Sequence, residues 1–337
     1  MAIICNTRCL NATLTGTQRY TQRILESFPG EVIRMAPPAG ISRGVIGHLW
    51  EQAILPGKLK NNLLWSPSNS GPMLVSKQVV TIHDLVTVDH PEWFNKKFTI
   101  WYNYMLPILC KKATHIIAIS EFTRQRLLEL YRLPESKISM IYNGADLPLP
   151  VLDNAAMQLP FKRYVLSLGS LEPRKNIPLL LNAWEAILPK LPDDVGLIVV
   201  GANGNSKIFK DAGITHIPNR VHFTGHVTDA YITQLYKNAM FFVYLSAYEG
   251  FGLPPLEAMA LGTPVLAGNK TAMPEVVGEA GLLVDINSRS ECENALLRLV
   301  DDEKLRADLA AKGTEQCKKF DWHKTSTQTW DVLQRFI

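Results

Sequence analysis

The chain has 337 residues, 47% of them hydrophobic and 20% charged, proportions of an ordinary soluble globular protein that exclude intrinsic disorder, a collagen-like repeat and a disulfide-dense scaffold. That length exceeds what one hydrophobic core usually organises and predicts two domains. The net charge of +4 is unevenly divided: residues 1–150 hold 16 Lys and Arg against 10 Asp and Glu, and the remainder 19 against 21, so any attraction to anionic lipid or a phosphorylated acceptor belongs to the first half.

Cys5, Cys9, Cys110, Cys292 and Cys317 are odd in number and form no CxxC pair, which argues against a disulfide framework or a structural zinc site and for a reducing compartment. The start, Met1–Asn6, has no basic region leading into a long apolar stretch, and no run reaches the roughly 18 to 20 apolar residues of a membrane span. A cytoplasmic protein is expected, with peripheral contact at the inner face of the membrane as its only route to lipid.

In chain order, Ala2–Cys5 reads as a buried strand and Thr17–Phe28 as the helix after it. Strand Val79–Ile82 leads to a helix over Phe94–Lys111, and strand Ile116–Ile119 leads, through a Ser120 cap, to a helix over Phe122–Tyr131. Ser139–Tyr142 is the last strand of the first half. The segment Asp146–Lys162, with Pro148, Pro150 and Pro160, follows neither period and reads as a linker. Beyond it, strands at Tyr164–Leu168, Leu197–Val200, Val221–Phe223, Met240–Tyr244, Val265–Ala267 and Gly281–Val284 alternate with helices at Ile177–Leu188, Ala230–Asn238, Pro254–Leu261, Glu291–Leu299 and Asp302–Phe320. Short continuous apolar strands separated by helices predict an α/β fold of two domains with parallel sheets, residues 1–150 and 151–320, followed by a C-terminal helix over 321–337 that packs back on the first. Ligands of such sheets lie beyond the carboxyl ends of the strands, so the loops there are where chemistry is sought.

The densest of these loops is Ser246-Ala247-Tyr248-Glu249-Gly250-Phe251-Gly252-Leu253-Pro254-Pro255-Leu256-Glu257. Gly250 and Gly252 permit unusual backbone angles and close ligand approach, and the amide hydrogens before a Pro-started helix suit phosphate or sugar hydroxyls. Glu249 falls on the loop and Glu257 on the first turn; each carboxylate presents two acceptor oxygens to a pair of neighbouring hydroxyls. A second stretch, Gly169-Ser170-Leu171-Glu172-Pro173-Arg174-Lys175-Asn176, again follows a strand and opens a helix. Cations there would stabilise negative charge that grows on a diphosphate leaving group, with Lys175 the first choice and Arg174 the second. In the first half, Gly16 lies between the first strand and helix, and His83-Asp84 stands just past a strand, where a neutral imidazole can hydrogen-bond a ligand and Asp84 can orient it or act as a polar wall. No Asp-x-Asp and no His/Cys cluster at ligand spacing is found, so no metal and no cofactor is expected.

The string EGFGLPPLE resembles the E-x7-E signature of glycosyltransferase family 4, and EPRKN resembles the phosphate-binding motif of its mannosyltransferase-B-like branch. Matching elements run from about Gly16 to Trp322. The resemblance implies the GT-B fold, two Rossmann-like domains whose parallel sheets face a central cleft, with acceptor on the first domain and nucleotide-sugar donor on the second. It implies that Glu249 faces the donor sugar and Glu257 the nucleotide ribose, that the turn at Gly225 lies near the base, and that Tyr248, Gly250, Phe251, Gly252 and Leu253 line the donor. Gly16 is placed near the donor phosphates, His83 and Asp84 toward the cleft, and Ser120 and Asn143 on the acceptor side. Ser170 stands where many members carry an arginine, which leaves Arg174 as its substitute.

The activity so implied is retaining transfer of a hexose, first of all mannose from GDP-mannose, to a glycan or lipid-linked acceptor of bacterial surface polysaccharide; nucleic acid is not a partner. A UDP-sugar-dependent enzyme of the same fold and a catalytically inactive nucleotide-sugar-binding scaffold are the alternatives. A glycosidase also brackets its bond with two carboxylates, but has no diphosphate to hold. A dinucleotide-dependent dehydrogenase is disfavoured because no GxGxxG follows the first strand. Trp93, Phe94, Phe98, Trp101, Tyr102, Tyr104 and Met105 mix with Lys96, Lys97, Lys111 and Lys112 over Pro91–Lys112, a stretch that suits either a bilayer surface or the domain's own core.

Overall fold

The computed structural model describes residues 1–11, 16–38, 40–42, 44–145, 159–201 and 213–337. The chain divides into two compact units, Met1–Gly144 with Phe320–Ile337, and Ala145–Lys319. The divisions at Gly144 and Phe320 stand beside the expected 150 and 320, and residues 146–158 of the expected linker lie outside the described residues.

The first unit carries six parallel strands: β1 (Ile3–Asn6), β2 (Ile33–Met35), β3 (Leu63–Ser66), β4 (Gln78–Ile82), β5 (His115–Ala118) and β6 (Ile138–Met140), in the order β2-β1-β3-β4-β5-β6. Ile4 pairs with Leu64, Trp65 with Val79, and Val80 with Ile116. β1, β3, β4 and β5 are buried along their whole length, as continuous apolar strands covered on both faces must be. Two of the six strands are absent from the sequence reading. β2 is a three-residue, largely exposed edge strand, and β3 is a four-residue run between Asn62 and Pro67 with no helix pattern directly before it. Trp65 of β3 is nonetheless wholly buried and its indole donates to Thr81 Oγ1 at 3.1 Å. Helix Trp322–Gln334 belongs to this unit: Ser326 Oγ donates to Ile24 O at 2.9 Å, and Trp330 packs on Phe28.

The second unit holds β7 (Arg163–Leu168), β8 (Val195–Val200), β9 (Val221–Gly225), β10 (Phe241–Tyr244), β11 (Val265–Gly268) and β12 (Leu282–Val284), all parallel, in the order β12-β11-β10-β7-β8-β9. The chain lays three strands outward from β7, then returns to start again at β10 on its other side. That reversal between β7 and β10 is the switch point at which ligands of doubly wound sheets bind. Helix Ile177–Ile187 turns Leu180, Leu181, Trp184 and Ile187 onto β7 and β8, and helix Arg289–Asp301 adds Leu296 and Leu299 to the same core. Burying each such side chain stabilises the unit by roughly 1.5–3 kcal/mol.

Candidate functional site

The loops leaving β7 and β10 meet at the switch point of the second sheet. After β7, Gly169 leads into the single turn Pro173–Lys175, and a Cβ on Gly169 would press to 3.3 Å on the stem of Lys175. Asn176 then takes the left-handed region, φ 53°, and starts helix Ile177–Ile187; asparagine is among the few residues that tolerate it. After β10, the Ala247 amide donates to Arg174 O at 2.7 Å. The cationic turn is thereby fastened to the glutamate loop.

Glu249 is the hub. Its Oε1 accepts from Lys175 Nζ at 2.7 Å, Tyr244 OH at 2.8 Å and Ser246 Oγ at 2.7 Å, and Oε2 accepts from Arg174 Nη1 at 3.2 Å. Lys175 Nζ also donates to Tyr244 OH and lies 4.9 Å from the centre of that ring. Arg174 Nε donates to Glu172 Oε2 at 2.7 Å, and Ser170 Oγ to Glu172 Oε1 at 2.7 Å. Burial pushes the Glu249 carboxyl up, yet the Lys175 and Arg174 charges more than offset this and hold it at about 2. Burial also lowers Lys175 against the pull of Glu249. Glu172 is raised by burial and brought below its usual value by Arg174. The four charges Glu172, Arg174, Lys175 and Glu249 cancel, and the buried Glu249 carboxylate is sustained by the two cations paired with it.

The Glu249 backbone is held as well: its amide donates to Thr271 Oγ1 at 3.1 Å. Thr271 sits at φ 56°, an outlier for a β-branched residue and a form of strain that gathers at functional sites. Gly252, at φ 124°, begins helix Leu253–Ala260, and a Cβ there would lie 2.3 Å from Met273 Cε; only glycine fits. Tyr248, Gly250 and Phe251 are buried beside it. Glu257 is half-buried as the fifth residue of the helix, one turn later than the expected first turn, because the helix begins at Leu253. Gly225 ends β9 at φ 69° and its carbonyl accepts from the Gly201 amide at 2.9 Å.

The first-unit candidates do not form one cluster with equal claims. His83 follows β4, is 6% exposed, packs edge-on to Tyr20 at 4.8 Å, and its Nε2 lies 2.7 Å from Pro67 O. Since a carbonyl only accepts, Nε2 carries the proton. Burial lowers the imidazole to about 4 although the Pro67 bond raises it, so the ring is neutral near pH 7. The carbonyl of Pro67 holds this ring, and Asp84 Oδ1 accepts from the Val86 amide at 3.3 Å. Ser120 is wholly buried and accepts from the Thr123 amide at 3.1 Å as the cap of helix Glu121–Tyr131. Asn143 is 2% exposed inside the same unit. Gly16 is the exposed first residue of helix Gly16–Glu26, and the 12–15 portion of its loop lies outside the described residues.

Tyr244, Ser246, Glu172 and Thr271 carry the hydrogen bonds of the glutamate hub without having been singled out in the sequence. Tyr244 and Ser246 sit within five residues of Glu249 at a strand end, a signal that could have found them; Thr271 is 22 residues away and had none.

With this geometry in place, comparison with known proteins is decisive. Residues 158–316 match the family described as glycosyl transferases group 1, and residues 65–148 match glycosyltransferase family 4. The O-antigen chain mannosyltransferase B of Escherichia coli is 32% identical over 285 residues, spanning 80% of this chain and 73% of that one. The chain belongs to glycosyltransferase family 4. This family member is a glycosyltransferase enzyme, with O-antigen mannosyltransferases among its relatives. The serotype-specific mannosyltransferase WbdA of Escherichia coli is 27% identical over 277 residues, and there the match spans 77% of the glycosyltransferase described above but only 34% of the longer relative. Sucrose-phosphate synthase from Thermosynechococcus elongatus superposes with a TM-score of 0.74 at 20% identity over 99% of this chain and 98% of that one. The Anabaena HepE complex with UDP and glucose superposes with a TM-score of 0.73 at 20% identity over 99% of both chains. These likenesses establish the fold of the family member as GT-B.

Proposed function

We propose that this glycosyltransferase moves mannose from GDP-mannose, with retention at the anomeric carbon, to a glycan or lipid-linked acceptor of bacterial surface polysaccharide. The observation that carries the reading is the Glu249 hub at the β7/β10 switch point, with two cations fixed on one carboxylate. Lys175 has three N–H donors and spends two of them on Glu249 and Tyr244; the third, with Arg174 Nη2, is available to a diphosphate. Glu249 Oε2 keeps acceptor capacity for a sugar hydroxyl. As the bond from C1 to the phosphate oxygen breaks, negative charge grows on the diphosphate and the fixed cations stabilise it more than the ground state. The acceptor hydroxyl forms its bond to C1 on the same face, and its proton passes to the departing phosphate oxygen. No metal is assigned a role in this reading. Gly225 and Glu257 are assigned to the nucleotide, and the Gly250–Leu253 amides to hydroxyls or phosphate. The choice of mannose follows the names of the relatives, several of which are mannosyltransferases.

We further infer peripheral contact of the first unit with anionic membrane. Among the described residues no helix is long and apolar enough to cross a membrane, so the contact would be made from the surface.

Calorimetry with GDP-mannose, UDP-glucose, UDP-galactose and UDP-GlcNAc tests the donor, and the anomeric coupling of the product tests stereochemistry. Lys175→Ala and Glu249→Ala should each lower turnover roughly 10²–10³-fold, as for a lost transition-state contact of about 3–4 kcal/mol, in protein that still melts cooperatively. Near-normal turnover in both would remove the site assignment, tight binding of a UDP-sugar alone would replace the donor, and an inverted product would refute retention.

A further inference from the structure

β10 reads Phe241-Phe242-Val243-Tyr244 and is buried along its whole length. Alternation sends Phe241 and Val243 to the core built with helix Ile177–Ile187, and Phe242 and Tyr244 to the opposite face. On that face the rings form a column. Tyr236, on helix Asp229–Asn238, packs edge-on to Phe242 at 5.1 Å, and Phe242 stacks on Tyr244 at 5.7 Å and 26°. Tyr236 OH donates to Pro254 O at 3.2 Å, in the first turn of helix Leu253–Ala260. The column itself needs only rings. A phenylalanine at 244 would complete it, and burying a hydroxyl costs free energy unless the group is paired.

The Tyr244 hydroxyl is paired twice, and both partners are charged. It accepts from Lys175 Nζ and donates to Glu249 Oε1 at 2.8 Å. Lys175 Nζ donates to the same Oε1 at 2.7 Å, so ammonium, phenol and carboxylate close a triangle. Burial, and after it the Glu249 charge, push the Tyr244 phenol well above its usual value. It therefore stays a neutral O–H, with one proton to give and lone pairs to accept.

The two charges depend on this hydroxyl unequally. Glu249 has further donors in Ser246 Oγ and Arg174 Nη1, and its amide is tied to Thr271. Among the described residues, Lys175 Nζ is hydrogen-bonded by Glu249 and Tyr244 alone, at the end of a flexible four-carbon stem. Without the phenol, the ammonium has one point of attachment and can swing about it. With the phenol, two fixed partners and a ring face 4.9 Å away set the direction of its third N–H. Stabilising charge that grows on a leaving group depends on such prior placement, because a donor already fixed has nothing to reorganise when the bond breaks.

We propose that Tyr244 is the positioning residue of Lys175, its hydroxyl fixing the ammonium so that the third N–H meets the departing diphosphate. Tyr244 is 2% exposed and offers no surface to a substrate, so it acts through the lysine. The proposal rests on the glycosyl-transfer reading and adds to it the group that makes Lys175 effective.

Tyr244→Phe keeps the ring column and deletes the hydroxyl. Initial rates of the whole chain with GDP-mannose and methyl α-D-mannopyranoside should show kcat lower by about ten- to a hundredfold. The KM for GDP-mannose should change by less than about threefold, and cooperative melting should be retained. Because the hydroxyl acts through Lys175, the double variant Tyr244→Phe with Lys175→Ala should be slower than Lys175→Ala by less than about threefold. Unchanged kcat in Tyr244→Phe overturns the proposal, as do multiplied losses in the double variant. So does a Tyr244→Phe protein that no longer melts cooperatively, since the hydroxyl would then serve the fold. Proton–nitrogen NMR of the lysine ammonium groups gives a readout independent of turnover. A slowly exchanging Lys175 signal, identified by its absence from Lys175→Ala, should be present in wild type and missing from Tyr244→Phe. A signal absent from wild type or persisting in Tyr244→Phe overturns the placement. If no form of the protein turns over GDP-mannose, loss of that signal in Tyr244→Phe still supports the placement, and the failure falls on the mannosyl-transfer reading.

Discussion

On Glu249 a single carboxylate oxygen accepts from a lysine, a tyrosine and a serine, so its position is set by three elements at once and a small shift of its backbone is felt by all. Thr271 controls that backbone through the Glu249 amide while itself held at φ 56°. Thr271→Gly relieves the left-handed strain and deletes the hydrogen bond, two effects of opposite sign and about 1 kcal/mol each. Melting temperature is therefore expected to move little, whereas turnover falls about ten- to a hundredfold as the carboxylate loses its placement. Equal loss of stability and of activity would show that Thr271 serves the fold alone. Glu249, Glu257, Arg174 and Lys175 were legible because each lies in a short string whose residue types have a local chemical sense. Glu51 was not: a lone glutamate between Trp50 and Gln52 reads as a surface residue until Asn6, Arg8 and Ser70 are folded around it.

Among the elements, helix Lys96–Lys112 has two unlike faces. Met105, Leu106, Leu109 and Cys110 face the core, while Phe98, Ile100 and Tyr104 are 41%, 70% and 60% exposed beside Lys96 and Lys97. The adjoining helix Gly44–Leu49, linked to it through His48 and Trp101, exposes Val45, Ile46 and Leu49. Apolar side chains next to lysines suit the headgroup boundary of an anionic bilayer, where each basic residue contributes about 1 kcal/mol. The protein should sediment with phosphatidylglycerol vesicles at low salt and release as salt rises, and Ile100→Ser with Tyr104→Ser should weaken the binding. No sedimentation at low salt would refute the membrane contact. Strand existence was legible wherever an apolar run stood against a helix period; β3 escaped because four residues between Asn62 and Pro67 offer no period at all.

For the molecule as a whole, acid is the stress to which its buried histidines expose it. Burial lowers His83 to about 4, and His115, also buried, to about 4 with Arg335 and Lys137 adding to the effect. An unfolded histidine titrates near 6.5, so between about pH 6.5 and 4 the unfolded chain takes up protons that the native rings refuse. Stability should fall across that window by up to about 1.4 kcal/mol per pH unit for each ring. Glu249 acts lower: its contribution is present above the ordinary glutamate value and is lost as pH falls toward 2. Urea midpoints taken between pH 7 and 4 should show the slope, and His83→Gln should reduce it; parallel curves for the two proteins would contradict the account.

The sequence by itself determined the α/β alternation, the two parallel sheets and the strings at Glu172–Asn176 and Glu249–Glu257, because strand burial, proline and glycine placement and helix starts are written in residues a few positions apart. Only the tertiary structure decided that the two strings share one buried carboxylate, that the Pro67 carbonyl meets the His83 ring, and that Arg8, Glu51 and Ser70 meet at the other sheet's switch point. Those unions depend on strand order, which brings β7 beside β10 and β1 beside β3, and strand order is a property of packing that no local spacing records.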